Sequence, residues 1–195
     1  MFIRSERLFL RPAWPEDASD LHAAIADERV VRNLARVRWP YALADAEDFV
    51  GRPQDRRYPS MLITLPSARG ARVIGGIGLH EDASGVDAPA HLGYWLAPEV
   101  WGRGYATEAA SAVLRLARTL GHPCVGAHHF VDNPASGRVL EKLGFRTCGP
   151  VTERFSLGRA GHAPSRGYLL RFDNAGDCDD DAPPEGSSEI PMRAA

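Results

Sequence analysis

The sequence is poor in cysteine, in long apolar runs and in excess charge of either sign. Its three cysteines, Cys124, Cys148 and Cys178, have no paired spacing and are odd in number. That excludes a disulfide framework and points to a reducing, cytoplasmic setting. His122, Cys124 and His128 match no standard metal spacing. No stretch approaches the roughly 18 apolar residues of a membrane span, and Met1-Phe2-Ile3-Arg4-Ser5-Glu6 does not read as a signal peptide. A formal net charge of −2 excludes the strongly basic surface that nucleic acid selects. That charge is unevenly placed, because residues 173–195 carry −6 and the remainder about +4. A mildly basic body suits an anionic small ligand.

What is present describes one soluble domain and a tail. The chain has 195 residues, 44% of them hydrophobic and 25% charged, as in ordinary globular proteins. The domain is expected over residues 1–172. The acidic segment 173–195 has too few apolar residues to offset its ordering entropy, and Pro183-Pro184 precludes a helix there. It is expected to be disordered.

The most informative stretch runs from His91 to Gly121. His91–Leu96 is an apolar strand, followed by a turn and by Trp101-Gly102-Arg103-Gly104-Tyr105-Ala106. From there the spacing becomes helical, with Ala106, Ala109, Val113, Ala117 and Leu120 on one stripe and Gly121 as the stop. A strand, a glycine-bearing turn and a helix start form an anion site, since the first helical turn has unpaired N–H groups and a partial positive charge. Two common versions are disfavoured. Thr107 stands where the dinucleotide fingerprint needs a third small residue, and the Gly-Lys-Ser/Thr of the mononucleotide loop is absent.

Residues 131–145 are the second such stretch. Asn133 is a good N-cap and Pro134 a good first helical residue, while Val139, Leu140 and Leu143 supply a buried stripe that Gly144 ends. Elsewhere the spacing predicts an edge strand at Arg7–Arg11 and a helix from Asp17 to about Ala26. A looser helical pair follows at 30–34 and 45–50. Ser60–Leu65 and Arg72–His80 form an antiparallel hairpin, with Gly75, Gly76 and Gly78 allowing a bulge or close backbone approach. Cys124–Val131 reads as a buried strand. Phe145–Leu157, broken at Gly149-Pro150, and Gly167–Phe172 form a last hairpin around a loop at 158–166. Trp39-Pro40-Tyr41 reads as an aromatic staple between helices.

The loop resembles the pyrophosphate loop of the GNAT N-acetyltransferase superfamily, Gln/Arg-x-x-Gly-x-Gly/Ala. Gly104 and Ala106 match its last two positions and Trp101 replaces the first. Trp-Gly-x-Gly-Tyr-Ala-Thr-Glu-Ala is similar to the RimJ/RimL-like branch. So is the second motif, Asn-Pro-x-Ser-x-x-Val-Leu-Glu-Lys-Leu-Gly-Phe, and the likeness covers roughly residues 5–172. It implies a mixed α/β fold, with a central, mostly antiparallel twisted sheet flanked by helices. It also implies acetyl transfer from acetyl-CoA to a primary amine, on a small molecule or a protein N-terminus.

On that resemblance the backbone of Trp101, Gly102, Arg103, Gly104, Tyr105, Ala106 and Thr107 cradles the pyrophosphate. A backbone donor near Leu96 or Ala97 faces the thioester carbonyl, because the family splays this strand from its neighbour. The helical pair at the acceptor entrance gives Trp39-Pro40-Tyr41 a second reading, as an acceptor wall. Asn133 holds the pantetheine arm. Many members protonate the departing thiolate with a tyrosine. The strand–helix junction has none here, and Ser136, at the third helical position, is the candidate acid. No general base stands out among His80, Glu81, His91, His128 and His129. Cys124 and Cys148 read as small apolar residues and not as nucleophiles, so direct attack in a ternary complex is expected. The missing base leaves a non-catalytic acetyl-CoA-binding regulatory module as the alternative. Neither nucleic acid nor membrane is an expected partner, and a homodimer stays open.

Overall fold

The computed structural model describes residues 1–68, 70–81 and 88–172. The acidic segment 173–195 lies outside them, as does most of the loop at 81–90. Among the described residues eight strands form one sheet in the order β1-β2-β3-β4-β5-β6-β8-β7. They are β1 (Ile3–Arg4), β2 (Phe9–Arg11), β3 (Ser60–Ser67), β4 (Gly70–His80), β5 (His91–Leu96), β6 (Cys124–Phe130), β7 (Arg146–Ser156) and β8 (Gly161–Arg171). Every neighbouring pair is antiparallel except β5 and β6. A parallel pair needs a crossover, which α4 (Tyr105–Thr119) provides. The remaining helices are α1 (Ala18–Ile25), α2 (Glu28–Val31), α3 (Leu43–Val50) and α5 (Pro134–Lys142).

Strand alternation sorts the helices onto two faces. Tyr94 on β5 reaches α5, whereas its neighbour Trp95 packs on the cluster of Ile25, Val30 and Val31 from α1 and α2. The first face carries α4 and α5, which touch each other. Leu62, Ile63, Ile74, Val113, Val125 and Leu140 are fully enclosed at the heart of the core.

The structure moves three expected elements. Arg7 leaves the predicted first strand, because its N–H and guanidinium both bind Glu108 of α4. In β7 the break at Gly149-Pro150 is a register shift between Cys148 and Thr152 within one continuous strand. Strand β8 begins at Gly161, six residues before the expected start. Its inward residues there, Ala163 and Ser165, are buried but too small or polar to read as an apolar alternation. The hairpin of β3 and β4 forms as expected, and the bulge falls at Ile74, the one residue without a partner between Val73 and Gly75. A Cβ at Gly75 would overlap the Trp95 carbonyl oxygen, so β4 and β5 approach closely there. Tyr41 performs the staple role, packing on both apolar clusters, while Trp39 remains 40% exposed. No described helix is long and apolar enough to cross a membrane.

Candidate active site

The site begins where the two parallel strands part. Strands β5 and β6 pair only at His91↔Gly126 and Leu92↔Ala127, yet β5 runs on to Leu96 and β6 to Phe130. Beyond Leu92 a gap opens between them. On its other side β5 stays bonded to β4, and the Ala97 N–H donates to the Ile74 carbonyl at 2.9 Å. Since N–H groups alternate sides along a strand, the Leu96 N–H points to the gap. Of the two expected donors, Leu96 is available and Ala97 is already bonded within the sheet.

Each parting strand leads into a helix N-terminus. After β5, Gly102 and Gly104 take φ values of 73° and 80°, left-handed conformations that glycine adopts without strain. Gly104 is the N-cap of α4 and its carbonyl accepts from the Glu108 N–H at 3.1 Å. The N–H groups of Tyr105, Ala106 and Thr107 have no carbonyl one turn back to bind, as in any first helical turn. Trp101 has a local purpose: its indole Nε1–H donates to the Leu96 carbonyl at 2.7 Å, fastening the loop to the end of β5.

The loop is also held from outside. The Glu108 carboxylate accepts from Ser5 Oγ and from the Arg7 N–H and Nε, each at 2.7 Å. Burial alone would raise the Glu108 carboxyl, but these bonds and the Arg7 charge outweigh it and hold the group below its ordinary value. Arg7 also donates to the Arg103 carbonyl at 3.1 Å and lies 4.6 Å above the Tyr105 ring.

After β6, Asn133 caps α5, with its side-chain oxygen 3.4 Å from the Ser136 N–H and Pro134 as first helical residue. Asp132, just before the cap, takes both terminal nitrogens of Arg159 at 2.8 Å and Arg32 at 3.0 Å. Hydrogen bonds from Arg159, then its charge and that of Arg32, hold the Asp132 carboxyl low against a raising effect of burial. This cluster ties α2 to the turn between β7 and β8.

A family model for the acetyltransferase (GNAT) domain matches residues 7–146. The chain belongs to the GNAT acetyltransferases. It is 31% identical over 157 residues to YoaA of Bacillus subtilis (strain 168), an uncharacterised N-acetyltransferase, covering 77% of this chain and 86% of that protein. A GNAT-family acetyltransferase from Bacillus anthracis superposes with a TM-score of 0.73 at 22% identity, covering 88% of this chain and 98% of the other. Spermidine N-acetyltransferase from Vibrio cholerae, solved with CoA and spermine, gives a TM-score of 0.69 at 20% identity, with coverages of 85% and 95%. The activity of this GNAT enzyme is N-acetyl transfer from acetyl-CoA.

The GNAT fold brings the candidate residues to two points, Trp101–Thr107 at the mouth of α4 and Asn133 with Ser136 at the mouth of α5. It divides the histidines. The rings of His80, His91 and His128 form a row on the Trp95 face, with centroids 6.1 and 5.5 Å apart. His129 lies on the opposite face, its Nδ1–H donating to the Phe130 carbonyl at 2.8 Å. One residue escaped sequence reasoning. Tyr94 Oη stands 2.9 Å from Ser136 Oγ, so a tyrosine does reach the candidate acid, from β5 and not from the strand–helix junction. Burial is the largest influence on its phenol and pushes it up to about 12.

Proposed function

We propose that this acetyltransferase acylates a primary amine by direct attack in a ternary complex, on a small molecule or a peptide N-terminus. The observation that carries this reading is the parting of β5 from β6 after Leu92, with a helix N-terminus at the end of each strand. That arrangement suits a long, thin ligand with an anionic end. The backbone N–H groups of the 101–107 loop hold the pyrophosphate, and the gap takes the pantetheine arm with Asn133 alongside. The Leu96 N–H polarises the thioester carbonyl, stabilising the oxyanion that forms when the amine attacks. The C–S bond then breaks with its electron pair on sulfur, and Ser136 gives its hydroxyl proton to the thiolate. Solvent takes the proton shed by the acylated nitrogen and restores that of Ser136.

The absence of paired cysteine spacing supports a cytoplasmic setting. The face bearing Trp95, the row of histidines and Tyr41 is where we place the acceptor. Coenzyme A release across a panel of amines tests the function. We expect turnover with at least one amine, and a fall of about 10²-fold or more in Ser136→Ala. Binding of acetyl-CoA without release in any amine would favour the regulatory module instead.

A further inference from the structure

A serine is a poor acid, and Ser136 can act only if its hydrogen points at sulfur and the alkoxide left behind is stabilised. An isolated helix-start serine meets neither condition, because its hydroxyl rotates and finds a nearby backbone carbonyl. Ser136 is not isolated. Tyr94 Oη lies 2.9 Å from its Oγ and 3.2 Å from its carbonyl oxygen. Both of these Ser136 oxygens can accept, and Tyr94 has one hydrogen to give. The carbonyl can only accept, whereas in the shorter contact either oxygen can be the donor; when the phenol hydrogen goes to Oγ, the serine's own hydrogen is turned elsewhere.

We propose that Tyr94 is a positioning residue for proton transfer: its phenol donates to Ser136 Oγ, directs the serine hydrogen to the leaving sulfur and stabilises the resulting alkoxide. This rests on the reading of Ser136 as the acid. Three facts of placement support it. Tyr94 belongs to β5, within the segment that lines the gap, so its position is tied to that of the thioester. It is half-buried, so its hydrogen bond meets reduced competition from water, and its raised phenol stays protonated at any working pH. The nearest other phenol, Tyr168, is engaged elsewhere, donating to Glu141 Oε1 at 3.2 Å with its ring against His129. The bond to Tyr94 strengthens as negative charge grows on Oγ, and a bond of that kind lowers the barrier rather than merely holding the ground state.

The test compares Tyr94→Phe, Ser136→Ala and the double variant, each checked for folding by thermal melting and by acetyl-CoA titration. With acetyl-CoA, Tyr94→Phe should lose about tenfold or more in kcat, with KM for both substrates within about twofold. The loss should largely vanish with the selenoester analogue of acetyl-CoA, whose selenolate departs without a proton. The double variant should be no slower than Ser136→Ala. Parent kcat in Tyr94→Phe, an equal loss with the selenoester, or a double variant slower by the product of the two single losses would each overturn the proposal. The two readings fail separately. A fully active Ser136→Ala removes the acid role itself, whereas a slow Ser136→Ala beside a fast Tyr94→Phe removes only the role of Tyr94.

Discussion

Glu108 is the residue through which the N-terminal segment grips the loop at 101–107, and Glu108→Gln tests that grip. Glutamine keeps the volume and one accepting oxygen for Ser5 Oγ and the Arg7 N–H. Its NH₂, however, meets the Arg7 guanidinium where a carboxylate oxygen accepted Nε and paired with the terminal nitrogen, both at 2.7 Å. Two charge-assisted bonds become a donor–donor contact. Fully buried, each would be worth about 1.5–3 kcal/mol. The Arg7 side chain is 44% exposed, so water and salt screen the pair, and about 1–2 kcal/mol in total is the expected loss. In a domain of this size that lowers the melting temperature by roughly 3–6 °C. The effect has a pH signature. A carboxyl held below its ordinary value contributes stability that is complete above the unfolded pKa, about 4.3, and is lost as pH falls through the lower folded value. Scanning calorimetry should therefore find the full gap between parent and variant at pH 7 and a smaller one at pH 3. Because Arg7 also holds the Arg103 carbonyl and the Tyr105 ring, acetyl-CoA affinity at pH 7 should fall with it. No gap at pH 7, or an undiminished gap at pH 3, would refute the reasoning.

Two further outcomes follow from the helix starts. Gly104→Ala has room for its methyl, the nearest heavy atom being an Arg7 terminal nitrogen at 3.5 Å, but pays for a left-handed φ of 80°. It should lose about 1–2 kcal/mol of stability, stay folded, and bind acetyl-CoA more weakly by calorimetry, with unchanged affinity counting against the phosphate-loop role. Asn133→Ala removes the cap of α5, which should cost about 1 kcal/mol in denaturant titrations. Its acetyl-CoA affinity should drop as well, and a loss of stability alone would leave Asn133 only its capping role.

Residues near one another in sequence made much of this legible. The helix from Tyr105, its glycine start and stop, the Asn133-Pro134 cap and the β3–β4 hairpin all follow from local rules of dihedral angle, capping and apolar spacing. The loop and the second motif showed the GNAT resemblance for the same reason, since each is a contiguous run. Strand β8 was legible only in part, because Ala163 and Ser165 are buried by neighbours and not by any apolarity of their own.

Pairings across the sheet were beyond such rules. Tyr94 and Ser136 are 42 residues apart, and Ser5 and Glu108 are 103. Nothing in either neighbourhood marks them as partners. The strand order decides that Tyr94 faces α5 while Trp95 faces α1 and α2. The register decides that Ala97 bonds to Ile74 and leaves Leu96 facing the gap. The sequence by itself determined two helix starts suited to anions, each following a strand. Tertiary structure decided that those strands lie side by side and part, because hydrogen-bond register and side-chain facing depend on which strand comes next, and no local run of residues encodes that.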